Sequence, residues 1–252
     1  MKRIPSLLIL LVVGLCFYSV PAFAASVSTE LLLLVDVSGS VNASEYALQK
    51  TGYVNAFKNA TIQGVIGGLP GGIAVAYAEW AVGQSMKVNF TQLTDAASAN
   101  AFADAIAATT RTSSGTIGSL TAPGSAIQWG RGLFAGNGFE GANVIDVSGD
   151  GSQNDGTNTF GQSTAAHAQG ITINGLPILG SEANLDTWYQ DNIVTPGGGF
   201  MIAASSFANF ETAVNDKIFR EIQPIPEPAT MLLLGSGLIG LAGYARRKFH
   251  KK

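Results

Sequence analysis

The sequence predicts an α/β domain in which one sheet carries helices on both faces. Three observations point to it. Apolar β-type runs alternate with helical patterns along residues 25–222. One run, residues 30–37, is apolar almost throughout, as expected of a central strand covered on both sides. That run ends in Asp36-Val37-Ser38-Gly39-Ser40, which places a carboxylate and two hydroxyls at the strand edge where open α/β sheets gather ligands.

The elements follow in order. After the strand at 30–37, Asn42 with Glu45 three residues on forms a capping-box start, and Tyr46, Ala47, Val54 and Phe57 continue at near-helical spacing. Residues 72–80 and 87–90 read as two strands, joined as a hairpin around Gly83. The alanine-rich segment 96–108 reads as a helix, and 126–133 as a shorter one. Residues 143–148 form the next apolar run, 165–168 read as helical, 171–178 as extended and 185–193 as a short helix. Residues 200–204 are expected to be a last strand. Phe207, Phe210, Val214, Ile218 and Ile222 then mark an amphipathic final helix.

Both ends carry sorting information. Lys2 and Arg3, an apolar run from Leu7 to Phe17 and Ala22-Phe23-Ala24 make the three-part pattern of a cleaved signal peptide, residues 1–24. Cys16, the only cysteine, lies inside it, with Leu15 before it where lipid attachment needs a small residue. The mature chain therefore excludes disulfides, thiolate nucleophiles and cysteine metal sites. Residues 25–222 are long enough to bury a core without covalent staples. At the other end, a spacer at 223–230 contains Pro226-Glu227-Pro228. A hydrophobic helix is expected at 231–245; counted from Ala229, the stretch to Ala245 reaches the short end of the roughly 17–25 residues that cross a bilayer, and residues 246–252 form a basic cytoplasmic tail. This end resembles the PEP-CTERM sorting signals of Gram-negative bacteria. The resemblance implies an exosortase-type processing enzyme as partner, a cell-envelope location and membrane tethering through the C-terminal helix before processing.

Between those ends the chain is acidic: residues 25–222 hold 7 bases and 16 acids, net −9. Such a balance argues against nucleic acid and anionic lipid as partners.

Three segments carry the chemistry. Asp36, Ser38 and Ser40 follow the first strand. Thr121-Ala122-Pro123-Gly124-Ser125-Ala126-Ile127 brings a hydroxyl to the start of a helix, and Ser148-Gly149-Asp150-Gly151 brings a carboxylate to the end of a strand. These are hard oxygen donors suited to Mg²⁺, Mn²⁺ or Ca²⁺. In this order the segments resemble the metal-ion-dependent adhesion site of von Willebrand factor type A domains. That pattern is Asp-x-Ser-x-Ser, a threonine before Gly-x-Ala-Leu, and an aspartate before glycine. The resemblance implies a Rossmann-like, doubly wound, mostly parallel sheet. It also implies a divalent-cation site, Mg (or Mn, Ca), formed by Asp36, Ser38, Ser40, Thr121 and Asp150. Pro123 departs from the usual Thr or Ser, and Thr112, Thr116 and Ser125 lie near Thr121. More closely, residues 145–151, Ala78-Glu79-Trp80 and residues 170–176 look like a sub-family of uncharacterised secreted bacterial proteins of that fold, which brings no known ligand.

Other polar residues receive structural expectations. Asp146 lies on the same strand side as Ser148 and Asp150. It is expected to pair with Arg131, or to hydrogen-bond Trp80 or Trp129, rather than to bind metal, and Glu79 is expected to be similar. Asn154-Asp155 reads as a polar loop and 196–199 as a turn. His167 stands without an acid nearby in sequence, and no Gly-x-Ser-x-Gly elbow follows a strand.

The expected function is a binding or adhesion module whose cation accepts a carboxylate from a protein partner. The alternative is a metal-dependent hydrolase of the envelope or extracellular matrix. Position 38 weakens a phosphatase of the haloacid-dehalogenase kind, because it is Ser38 where that class needs a second aspartate. A nucleophile and a base are not found together.

Overall fold

A computed structural model describes residues 24–223. Residues 1–23 of the expected signal peptide, residues 224–230 of the spacer, the tail helix at 231–245 and the basic tail lie outside the described residues. Among the described residues no helix is long and apolar enough to cross a membrane.

The chain runs β1 (Ala25–Asp36), α1 (Ala43–Lys58), α2 (Ala60–Gly68), β2 (Ile73–Trp80), β3 (Gln84–Leu93), α3 (Ala96–Ala108), α4 (Ser114–Ile117), α5 (Pro123–Gly130), β4 (Phe139–Gly149), α6 (Thr159–Ala168), β5 (Thr172–Pro177), α7 (Leu185–Asn192) and α8 (Phe210–Ile222). The strands lie in the order β3-β2-β1-β4-β5. β2, β1, β4 and β5 are parallel, and β3 returns antiparallel beside β2. Helices cover both faces. This is the doubly wound, mostly parallel sheet expected.

Alternation along β1 builds the two layers. Leu31, Leu33 and Val35 point into a core with Tyr53, Phe57, Phe102, Phe210, Val214 and Ile218 of α1, α3 and α8. Leu32 and Leu34 point the other way, toward Ile127, Ile145, Leu185 and Tyr189. Since side chains one residue apart face opposite sides of a strand, only an unbroken apolar run can satisfy both layers. Leu31 through Val35 are fully buried.

Local signals set the ends of elements. Asn42 caps α1 by accepting from Ser44 and Glu45, and Glu45 reaches back to the Asn42 N–H. Asn59 ends α1 and caps α2 through Thr61 and Ile62. The β2–β3 hairpin pairs Trp80 with Gln84 around Gly83.

The segment 200–204 departs from its expectation. It touches β5 only at isolated bridges, Gly175 to Met201 and Ile178 to Ala204. Pro177 offers a carbonyl there, to Ala204 N at 2.9 Å, but has no N–H to continue a ladder.

Candidate metal centre

The sheet reverses direction of winding between β1 and β4, and the crevice at such a switch point, beyond the carboxyl ends of the strands, is where this architecture binds ligands. Asp36 closes β1 and Asp150 follows β4, so the two carboxylates meet across that crevice.

Four of the five expected residues form one cluster. Ser38 N donates to Asp36 Oδ1 at 2.7 Å, Ser38 Oγ and Ser40 Oγ lie 3.1 Å apart, and Ser40 Oγ donates to Asp150 Oδ1 at 2.6 Å. Asp36 and Ser38 are fully buried, Asp150 almost so, while Ser40 is exposed, so the cluster opens to solvent on the Ser40 side. Thr121 stands beside it, facing the Asp150-Gly151 turn: its Oγ1 is 3.8 Å from the position a Cβ on Gly151 would take. Asn154 holds it there. Thr121 N donates to Asn154 Oδ1 at 2.7 Å, and Asn154 N and Asp155 N donate to Thr121 O.

Asp36 Oδ2 is buried without a hydrogen-bond partner. Burial pushes the Asp36 carboxyl up from 3.8 to about 7; the Ser38 N–H works against the rise and the Asp150 charge adds to it. An orphaned buried oxygen, a second carboxylate and three nearby hydroxyls form an oxygen-only donor set that fits a hard divalent cation. Among the described residues no group of three His, Cys, Asp or Glu side chains could hold a metal.

The surroundings hold residues that the sequence did not single out. Arg111 Nη2 donates to the carbonyls of Val37, Ser38 and Val41 at 2.9, 3.1 and 2.7 Å, which straps the loop after β1. Its guanidinium lies 5.5 Å from the Tyr46 ring centroid. Tyr46 in turn donates to Glu79 Oε1 at 2.6 Å, and Glu79 Oε2 accepts from Thr112 N and Oγ1 at 2.7 and 2.6 Å. Glu79 is thus a structural carboxylate, as expected. Gln49 Nε2 donates to Asp36 O. On the opposite rim, Ser181 Oγ donates to Asp150 Oδ2 at 3.3 Å and Ser152 N donates to Glu182 Oε2 at 2.7 Å. Beneath Asp36 sits the buried Tyr189 hydroxyl, itself without a partner. Burial, then the Asp36 and Asp150 charges, hold that phenol well above its ordinary range.

Asp146 does not pair with Arg131, Trp80 or Trp129. It contacts Lys217 Nζ of α8 at 2.6 Å, and Arg131 donates instead to Gln162 Oε1. His167 is exposed near the end of α6, apart from the cluster.

A family model described as "Protein of unknown function (DUF1194)" matches residues 26–226. The chain belongs to this family. The PEP-CTERM protein-sorting motif matches residues 224–248, which marks this DUF1194 protein for export, sorting to the Gram-negative envelope and exosortase processing. Comparison with curated proteins returned no match. Among solved structures, proximal thread matrix protein 1 of the mussel byssus aligns with TM-score 0.59 at 18% identity, over 80% of this chain and 49% of that one. A structure of the same byssus protein with a zinc-occupied MIDAS motif aligns equally, over 81% and 48%. The pilus adhesin SpaC of Lactobacillus rhamnosus GG aligns with TM-score 0.56 at 14% identity, over 77% and 30%. This chain spans about half the length of the byssus protein and under a third of the adhesin. The likeness establishes the fold alone, which is of the von Willebrand factor type A kind.

Proposed function

We propose that this protein is an exported adhesion module. It binds a divalent cation, Mg²⁺ or Mn²⁺ in preference to Zn²⁺, through Asp36, Ser38, Ser40, Thr121 and Asp150, and recognises a carboxylate on a protein partner through that ion. The observation that carries the reading is Asp36 Oδ2, fully buried and unpartnered at the head of the Ser38-Ser40-Asp150 chain. Five donors, three of them neutral hydroxyls, leave a near-octahedral ion one open position, and a carboxylate that enters it meets the cation at short range in a partly dry site. The domain's net −9 opposes acidic partners at long range. Recognition is therefore local to the ion and to the shape around it. A cavity of about 430 Å³ beside the cluster, lined by Ser38, Gly39, Arg111, Thr112, Ser114 and Ser119, gives room for a partner side chain next to a guanidinium.

The fold is shared with a matrix protein and a pilus adhesin, which agrees with a binding role. The sorting motif brings the domain to the envelope, where matrix and surface proteins are the available partners. The test is capture of envelope proteins on the purified protein with Mg²⁺, with excess chelator, and with Asp36→Ala. Partners released by chelator and absent from the variant support the reading. Equal capture in all three conditions refutes it.

A further inference from the structure

Lys217 is the one fully buried lysine among the described residues, and the metal site makes no use of it. It lies on α8, against β4 and β5. Its Nζ is 2.6 Å from Asp146 Oδ1 and 2.5 Å from Glu221 Oε1, one helical turn on. The two contacts differ in kind. Lys217 Nζ donates a hydrogen bond to Glu221 Oε1. With Asp146 Oδ1 it forms an ion pair, and the Asp146 oxygens have no other side-chain donor. Asn174, paired with Asp146 across β4 and β5, donates to Glu221 Oε1 at 2.9 Å, and the Phe200 ring lies 6.0 Å from Nζ.

Two acids and one base in a dry core leave one negative charge unbalanced, and burial of such a charge is resolved by protonation. Burial raises the carboxyls of both Asp146 and Glu221, the latter to about 7, against the lowering effect of Lys217. An amine, a carboxyl group and a second carboxyl able to relay protons are thus held in contact with bulk water excluded. Fixed contact of this kind converts a slow bimolecular condensation into a favourable intramolecular one.

We propose that Lys217 and Asp146 condense into an intramolecular amide bond, with Glu221 as the proton relay and Asn174 as its positioning residue. The Nζ lone pair attacks Asp146 Cγ, the C–N bond forms, and a C–O bond to one carboxylate oxygen breaks. Two protons pass from Nζ to that oxygen through Glu221, which ends unchanged, and one water leaves. No oxidant, reductant or co-reactant is needed. The product removes the Lys217 and Asp146 charges from the core. It also ties α8 covalently to β4, the strand that leads into Asp150. α8 is the last described element before the sorting motif at residue 224. Load applied through the C-terminal end then passes into the sheet rather than peeling the helix away.

Mass spectrometry of the full chain purified from the envelope tests this. The expected intact mass is one water below that of the processed sequence. After denaturation and trypsin, the expected peptide is 132–220, also one water light, because an acylated lysine is not cut. Glu221→Gln, which keeps the side-chain shape but cannot relay protons, is expected to give the full mass and cleavage after Lys217. A wild-type chain of full mass that is cleaved after Lys217 overturns the proposal, leaving a buried ion pair. Cross-linking in Glu221→Gln to the wild-type extent overturns the role of Glu221. Neither readout depends on cation binding.

Discussion

Replacing Gly149 with alanine probes the metal centre from below, leaving every donor residue in the sequence while pressing on one of them. A Cβ at this position would lie 2.7 Å from Asp36 Oδ2, 2.8 Å from the Tyr189 hydroxyl and 3.1 Å from Asp36 Cβ. Ordinary contact begins at 3.4 Å, so the carboxylate and the phenol must each yield by 0.6–0.7 Å. Both are buried: Asp36 is fixed by Ser38 N, and Tyr189 is wedged in the core beside Leu185 and Ile193. Overpacking of this kind costs about 1–3 kcal/mol. In a chain of this size that is a fall in Tm on the order of 2–12 °C. Displacement of Asp36 Oδ2 is expected to weaken cation binding at least tenfold, about 1.4 kcal/mol. Gly151→Ala is the control, since its Cβ would meet Thr121 and Glu182 at an ordinary 3.8 Å. Calorimetric titration with Mg²⁺ and thermal unfolding followed by circular dichroism read both effects. If Gly149→Ala binds the cation as the wild type does, Asp36 Oδ2 is not a ligand and the reasoning fails.

Three further outcomes are expected. Arg111→Ala removes a charged donor from three loop carbonyls, at about 1–3 kcal/mol; cation affinity measured by calorimetry should fall while the circular dichroism spectrum is kept. The cation-free protein should lose stability as pH rises from about 4 to 7, by up to about 4 kcal/mol. In that window the folded state keeps the Asp36 proton, which the unfolded chain has lost. Asp36→Asn should flatten that part of the urea-unfolding pH profile, and an unchanged profile contradicts the assignment. Finally, the envelope form is expected to begin at Ala25, and changing Pro226 and Pro228 to disturb sorting; a mature protein beginning at Met1, or sorting that is unaffected, contradicts these readings.

The fold was legible where one residue class repeated. The run from Leu31 to Val35 had no polar member to suggest an exposed face, and Asn42 with Glu45 announced α1 by chemistry that acts over three residues. α2 was missed because Gly64, Gly67 and Gly68 dilute its helical pattern, although Asn59, placed to cap it, was a usable signal. The three site segments could be read because each lies at a strand or helix end. Arg111, Gln49, Ser181 and Tyr189 act only through contacts made across the fold, which no local spacing reveals. The partner of Asp146 was missed for the same reason, yet Lys217 and Glu221 fall on the same face of α8 as Phe210, Val214 and Ile218. Charged residues on an apolar stripe call for a buried partner.

The central claim is that the Asp36-Ser38-Ser40-Thr121-Asp150 cluster holds a divalent cation. Its most direct test is calorimetric titration of the purified protein with Mg²⁺, Mn²⁺, Ca²⁺ and Zn²⁺, beside the Asp36→Ala, Asp150→Ala double variant. The account predicts one site per chain, preferring Mg²⁺ or Mn²⁺ to Zn²⁺, and no binding in the double variant. Equal affinity in the two proteins would contradict it.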